Sequence, residues 1–137
     1  MAERIQLDVI TPERRLLSEE VDAVTVPGLN GELGILPGHT PLISQLQTGV
    51  LTYTQGGTMR RLLVSGGFVE VNEKRVSVLA DLAEHPEEID AAQARQEREQ
   101  AEKALGSFSG SEDELAQARA RLERSTARLQ LASDSVR

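Results

Sequence analysis

Short apolar runs separated by turn-forming residues fill the first 85 residues of the chain, and this pattern predicts β-strands. The runs are rich in Val, Ile and Thr, which favour strands. Eight strands are predicted, over residues 5–10, 15–18, 21–26, 33–36, 50–55, 60–65, 68–72 and 75–80. Their spacing of about eight to twelve residues is typical of a β-sandwich or barrel.

The last three predicted strands follow one another closely. Residues 68–72 alternate between apolar and polar side chains, which indicates a strand with one buried and one solvated face. Two turn-forming segments, residues 66–67 (GG) and 72–74 (NEK), separate the three strands. The pattern therefore predicts a local antiparallel meander.

Beyond residue 85 the apolar positions recur at intervals of three and four, the period of an α-helix. Two stripes result: Ala91, Ala94, Arg98, Ala101 and Leu105, then Leu115, Ala118, Leu122, Ser125, Leu129 and Ala132. Residues 106–111 (GSFSGS) end the first helix, and Ser111 with Glu114 predicts a capping box for the second. The sequence predicts a β-sandwich over residues 1–85 and an antiparallel two-helix hairpin over residues 86–137.

The seam of this hairpin is mostly alanine, with one arginine and one serine in it. At about 25 cal/mol per Å² of buried apolar area, such a seam is weaker than a leucine-rich one. Two interpretations stay open: either the hairpin opens readily and acts as a switch, or its small side chains simply allow the helices to pack closely.

Composition narrows the class of protein. The chain has 137 residues, a net charge of −7 and no cysteine, so neither disulfides nor thiolate metal sites hold the fold together. The acidic balance argues against nucleic-acid binding. The sequence contains no apolar run of about 18 residues and no signal-peptide pattern, which predicts a cytosolic protein without direct membrane insertion.

The chain offers little catalytic chemistry. Its two histidines, His39 and His85, fall in different regions, and no pair of nucleophile and base is visible. The glycines at positions 28, 31, 34 and 38 are spaced like a phosphate-binding loop but lack its Gly-Lys-Ser/Thr ending. We therefore expect no catalytic residue, no metal site and no resident cofactor.

The second predicted helix carries a row of positive charges in an acidic protein. Arg119, Arg121, Arg124 and Arg128 surround the single Glu123. Arginine is well suited to bidentate contacts with carboxylates or phosphates. Either these side chains form a solvated face with pairs along the helix, or they contact an acidic surface on a partner.

Four segments carry a resemblance to a known family: LDVITPE, VPGLNGELGILPGHTPLIS, GGFVEVNEKRVSVLAD and, at the start of the helical part, EIDAAQA. Together they resemble the epsilon-subunit family of bacterial F-type ATP synthases, the counterpart of the mitochondrial delta subunit, over essentially the whole chain. That family has a flattened N-terminal antiparallel β-sandwich followed by a C-terminal antiparallel two-helix hairpin. The resemblance implies the same fold here.

The resemblance implies a non-catalytic rotor subunit in the central stalk of the proton-translocating F-type ATP synthase. Residues 1–85 would dock on the gamma subunit and the c-subunit ring and pass rotation toward the catalytic head of alpha and beta subunits. Glu32 and His39 match family positions that approach the c ring. The chain would then lie peripherally on the cytoplasmic side of the bacterial inner membrane, or on the equivalent plastid thylakoid membrane.

The resemblance also assigns regulation to the helical arm, residues 86–137. When extended, the arm would obstruct the catalytic head and suppress ATP hydrolysis. In that state an acidic segment of the beta subunit would meet the arginine row, Arg119, Arg121, Arg124 and Arg128.

Some family members bind ATP as a regulatory ligand through the motif Ile/Leu-Asp-x-x-Arg-Ala. Glu84, Ile89, Asp90 and Ala94 fit the family positions, but Gln93 stands where the arginine should be. A glutamine can donate a hydrogen bond but cannot neutralise a triphosphate, so the motif is incomplete and argues against ATP binding.

Composition alone also allows a second class, a free-standing nucleotide-sensing or adaptor module. Such a module would be a monomer that responds to a small ligand. A stalk subunit would instead form a stable complex with gamma.

Overall fold

The computed structural model describes residues 3–107 and 110–135, with side chains as far as residue 132. In this part of the chain, ten strands precede one short 3-10 helix and two α-helices. The strands are β1 (Ile5–Ile10), β2 (Arg15–Val21), β3 (Ala23–Gly28), β4 (Gly31–Ile35), β5 (Leu42–Gln45), β6 (Gly49–Gln55), β7 (Thr58–Ser65), β8 (Phe68–Val71), β9 (Arg75–Leu79) and β10 (Leu82–Glu84). The helices are the 3-10 turn Pro86–Glu88, α1 (Ala91–Gly106) and α2 (Glu112–Ser135). The chain divides into two compact units, Met1–His85 and Pro86–Arg137.

The strands of the first unit form two five-stranded sheets. The first sheet has the order β2-β1-β9-β8-β5, and the second has the order β10-β7-β6-β3-β4. Neighbouring strands are antiparallel except for β1 and β9, which run parallel. β4 and β5 are consecutive in the chain but lie at the edges of different sheets.

The core of the first unit lies between the two sheets. Alternate side chains of β1, such as Leu7 and Val9, are fully buried, as are Val24 and Leu51 of the second sheet. These side chains belong to one apolar cluster, so the two sheets pack face to face as a sandwich. Burying each such side chain contributes about 1.5–3 kcal/mol to stability. The predicted β-sandwich is confirmed.

All eight predicted strands are present, but two further strands were missed. β5 is a four-residue edge strand directly after a Gly- and Pro-rich loop, and β10 has only three residues. β2 also runs on to Val21, which the sequence pattern assigned to the following strand. Only Asp22 separates β2 from β3, so no Gly or Pro marks this boundary.

The predicted meander of the last three strands is wrong. β8 and β9 form an antiparallel hairpin, but β7 belongs to the other sheet. Gly66 and Gly67 therefore lead the chain from one sheet to the other. Both have positive φ angles, 70° and 89°, which glycine adopts without the strain that a side chain would add.

The second unit is an antiparallel pair of helices, as predicted. Ala94, Ala101, Ala118 and Ser125 of the predicted stripes are buried. The buried Ser125 hydroxyl donates to the carbonyls of Arg121 and Leu122, which satisfies it within its own helix. Ala127 and Leu131 are also buried, although they lie outside the predicted stripe.

The predicted capping box at the start of α2 is confirmed. The Glu114 amide donates to the Ser111 hydroxyl at 3.2 Å, and the Ser111 amide donates to Glu114 Oε1 at 3.4 Å. α1 ends at Gly106, as expected, while residues 108 and 109 of the predicted turn lie outside the described residues. Among the described residues, neither helix combines the length and the apolar character that crossing a bilayer requires.

Candidate functional site

Three of the four arginines in the predicted row lie on one face of α2. At about 100° per residue, Arg121, Arg124 and Arg128 fall within about 60° of one another, whereas Arg119 points roughly to the opposite side. The three that share a face border a groove between the two helices, which we call the arginine groove. Its lining residues are Glu97, Gln100, Arg121, Arg124 and Arg128.

One carboxylate of α1 pairs with this face of α2. Arg128 Nη1 donates to Glu97 Oε2 at 3.2 Å, and the two residues are 31 positions apart in the chain. The Arg128 side chain is 21% exposed and that of Glu97 is 41% exposed. The pair therefore links the two helices at a partly solvated position, where ion pairs contribute about 0–1 kcal/mol.

A second ion pair lies along α1 itself. Arg98 Nε is 3.5 Å from Glu102 Oε1, one helical turn away. Among the described residues this buried nitrogen has no hydrogen-bond partner, so the contact with Glu102 is electrostatic attraction and not a hydrogen bond. Unlike the pair of Glu97 and Arg128, it does not join the two helices.

The two predicted c-ring residues lie toward opposite ends of β4. Glu32 is exposed, faces Pro27 in the neighbouring strand and lies one residue after the start of β4. His39 follows the far end of β4, in a loop whose Gly38 amide donates to the Glu73 carbonyl. His39 Nδ1 is 2.7 Å from the Thr40 carbonyl, and since a carbonyl can only accept, the ring nitrogen is the donor. The structure does not bring Glu32 and His39 together.

Two residues of the incomplete ATP motif have structural roles in the helical unit. Asp90 is the N-cap of α1, and its Oδ1 accepts a hydrogen bond from the Gln93 amide at 3.1 Å. Ala94 is buried in the seam between the helices, and Ile89 is half-buried. Glu84 belongs to β10 in the first unit.

A polar cluster that sequence reasoning missed surrounds Asp8, a buried carboxylate in β1. Asp8 Oδ1 accepts from the Ser18 hydroxyl at 2.7 Å and from Gln6 Nε2 at 3.1 Å, and Arg75 Nη1 is 3.3 Å from Oδ2. Burial raises the pKa of Asp8, but these hydrogen bonds and the charges of Arg75 and Arg15 outweigh it, so the pKa lies below its ordinary value of 3.8. The alternation of side chains along β1 did not predict this cluster, because a pattern within one strand does not show which strands will lie next to it.

Among the side chains described in residues 3–107 and 110–132, no three of His, Asp or Glu are grouped so that they could hold a metal ion. The geometry thus offers three distinct features: a groove of arginines, an edge strand with Glu32 near its start and His39 beyond its end, and a capped helix start at Asp90.

Family models cover both units of the chain. Residues 4–86 match the β-sandwich domain of the ATP synthase delta/epsilon chain, and residues 87–133 match its long α-helix domain. The chain belongs to the ATP synthase delta/epsilon chain family. This resemblance, expected from the sequence motifs, is confirmed.

Individual members of the family are similar over nearly their whole length. The ATP synthase epsilon chain of Herpetosiphon aurantiacus is 49% identical over 128 residues, which cover 93% of each chain. That of Geobacter metallireducens is 41% identical over 137 residues, covering 100% of this chain and 99% of the relative.

The fold is also similar to that of solved structures. A chain in the cryo-EM structure of the Euglena gracilis mitochondrial ATP synthase (OSCP/F1/c-ring) has a TM-score of 0.80 at 28% identity, with 98% of this chain and 82% of that chain covered. A chain from the central stalk and c-ring of the Tetrahymena thermophila enzyme has a TM-score of 0.68 at 14% identity, over 95% of this chain and 97% of that chain. The second likeness concerns the fold alone.

Proposed function

We propose that this chain is the non-catalytic rotor subunit in the central stalk of a proton-translocating F-type ATP synthase. It couples rotation of the c ring to the catalytic head, and its C-terminal helices restrain ATP hydrolysis. The observation that supports this most directly is the match of both units to one family, together with the likeness over 98% of the chain to a subunit of an F1/c-ring complex.

The two units have different proposed roles. The sandwich, residues 1–85, docks on the gamma subunit and the c ring, and the helical arm, residues 86–137, regulates the alpha and beta subunits of the head. The proposed location is the cytoplasmic side of the bacterial inner membrane, as a peripheral subunit, with the plastid thylakoid as the equivalent site. No nucleic acid is involved.

The edge position of β4 supports a contact between the c ring and the sandwich. Because Glu32 and His39 lie toward opposite ends of this strand, one small contact cannot include both. A partner that lies along the free edge of β4 would meet Glu32 at one end and His39 at the other. Charge reversal at Glu32 combined with His39→Ala should therefore weaken assembly with the ring and coupled proton pumping; unchanged coupling would remove these residues from the interface.

The arginine groove supports a regulatory contact with an acidic segment of the beta subunit. Arginine donates two parallel hydrogen bonds to a carboxylate, and such charge-assisted bonds are stronger than neutral ones. Of the row Arg119, Arg121, Arg124 and Arg128, the geometry favours the last three, because one helix face presents them together.

The test is ATP hydrolysis by a matching catalytic head that has been stripped of its own subunit of this family. Full-length protein and protein ending at His85 are added back separately. We expect both to bind gamma stoichiometrically and only the full-length protein to slow hydrolysis. If both bind and neither slows hydrolysis, the arm has no inhibitory role here. A chain that binds no gamma and responds only to a small ligand would support the adaptor module instead.

A further inference from the structure

The pair of Glu97 and Arg128 exists only while the two helices lie side by side. Glu97 belongs to α1 and Arg128 to α2, and Arg128 Nη1 is 3.2 Å from Glu97 Oε2. Local helix geometry cannot produce this contact, because the two residues are 31 positions apart. It is therefore a property of the closed hairpin.

Arg128 shares its helix face and its groove with Arg121 and Arg124. A carboxylate from another chain that approached this face would compete with Glu97 for the Arg128 guanidinium. Glu97 also places one negative charge among the three positive charges that line the groove. Both effects weaken the attraction of this face for an acidic partner.

We propose that Glu97 is an internal competitor: it pairs with Arg128 in the closed hairpin and so raises the protein concentration needed to inhibit ATP hydrolysis. This inference rests on the proposed function, in which the same arginine face meets an acidic segment of the head. Glu97 acts by holding Arg128 and by adding its negative charge to the groove. The closed hairpin thus limits its own inhibitory contact, and separating the helices breaks the pair of Glu97 and Arg128.

The chain contains a matched control for this idea. Glu102 is also an acidic residue of α1, and it lies 3.5 Å from Arg98 of the same helix. At about 100° per residue, Glu102 points about 140° away from Glu97 around the helix. Glu97→Gln and Glu102→Gln therefore remove the same charge from the same helix, but only the first variant breaks the pair between helices.

Two measurements test the proposal in full-length protein. In hydrolysis assays with the stripped catalytic head, we expect Glu97→Gln to inhibit at a concentration about two- to fivefold lower than wild type, the range that a partly exposed ion pair can supply. Glu102→Gln should inhibit like wild type. In the isolated chain, a double-mutant cycle of Glu97→Gln and Arg128→Gln should give a non-zero coupling free energy for unfolding of the two helices.

The outcomes separate this inference from the proposed function. If wild-type protein inhibits but Glu97→Gln and Glu102→Gln inhibit equally, the competitor role is overturned and the proposed function stands. Zero coupling between positions 97 and 128 also overturns it. If wild-type protein does not inhibit at all, the inhibitory part of the proposed function fails, and the competitor role fails with it.

Discussion

Gly67 lies so close to the backbone of Leu79 that an added Cβ atom would overlap the Leu79 carbonyl oxygen. This contact occurs where the chain passes from β7 of one sheet to β8 of the other. Glycine fits there because a Cβ would clash with the backbone of β9, and the positive φ angle would also strain any residue that has a Cβ.

Gly67→Ala should therefore destabilise the sandwich more than Gly57→Ala. Gly57 has a similar φ angle of 84°, but a Cβ at that position meets nothing within 4 Å. Backbone strain costs about 1–3 kcal/mol in both variants, and overpacking adds about 1–3 kcal/mol at position 67 only. Urea unfolding followed by the fluorescence of Tyr53, the single tyrosine in a chain without tryptophan, measures the difference. Equal free energies of unfolding would contradict the predicted clash.

Asp8 should make the stability of the sandwich depend on pH in the acid range. Its pKa is lowered in the folded state, so below the ordinary pKa the unfolded chain takes up the proton first and the free energy of unfolding falls as pH decreases. The contribution is fully present above the unfolded pKa and is lost as pH falls through the folded pKa. Asp8→Asn should lose about 1–3 kcal/mol near neutral pH, because the charged hydrogen bonds are weakened.

The same variant should show a shallower loss of stability than wild type as the pH falls below the ordinary Asp8 pKa of 3.8. Tyr53 fluorescence during urea unfolding at several pH values measures this slope. Glu70→Gln, at an exposed carboxylate of β8 in the same sheet, serves as the control. A slope for Asp8→Asn that matches both wild type and Glu70→Gln would show that another carboxylate is responsible.

Ser111 should stabilise the start of α2 through its hydroxyl. Ser111→Ala removes the acceptor of the Glu114 amide and should lower the free energy of helix unfolding by about 1 kcal/mol. Ser111→Asp keeps an acceptor at the N-cap and should restore most of that loss. Far-UV circular dichroism during thermal unfolding compares the three proteins, and an alanine variant as stable as wild type would refute the role of the cap.

Local patterns predicted the strands and helices well, and they failed where long-range pairing decides the structure. The alternation in β8 and the stripe of Ala94, Ala101 and Ala118 report which side chains are buried, and both agree with the structure. The run of Gly66 and Gly67 indicates a turn but not its destination, since a hairpin and a crossing between sheets use the same residues. β5 was missed because an edge strand of four residues leaves little periodic signal.

The sequence predicted which residues belong to the candidate sites but not how those residues are arranged in space. The charge pattern identified the arginine row, and helical angles alone would have separated Arg119 from the other three. The pairing of Arg128 with Glu97 depends on how two helices align, which no spacing within one helix encodes. Likewise, the sequence places Glu32 and His39 only seven positions apart, and only the course of β4 puts them toward opposite ends of that strand.

The residue at position 93 should decide whether the helical unit binds ATP. Wild-type protein should give no binding heat with millimolar ATP, because Gln93 cannot neutralise phosphate charge. Gln93→Arg should strengthen ATP binding by about tenfold or more, the range of one charge-assisted hydrogen bond. The N-cap should survive, because Asp90 accepts from the backbone amide of residue 93 and not from its side chain.

Calorimetry on the isolated chain measures this binding. Ala92→Arg adds the same charge at an exposed neighbouring position and should leave ATP binding unchanged. Clear binding by wild-type protein would mean that other groups replace the missing arginine. If Gln93→Arg and Ala92→Arg strengthened ATP binding equally, the added net charge, and not its position, would explain the gain in affinity.

The arginine face of α2 should carry the inhibitory contact, and Arg119 should not. A partner that lies along one face of the helix meets Arg121, Arg124 and Arg128 together, whereas Arg119 lies roughly opposite them. The triple alanine variant should raise the concentration needed for half-inhibition of hydrolysis about tenfold or more, with up to about fivefold from each exposed pair. Arg119→Ala should change it less than about twofold. The inhibition should also weaken with added salt, because exposed pairs are screened within about 10 Å at 0.1 M ionic strength. If single replacements of Arg119 and Arg121 relieve inhibition equally, the net charge of the helix and not this face sets the contact.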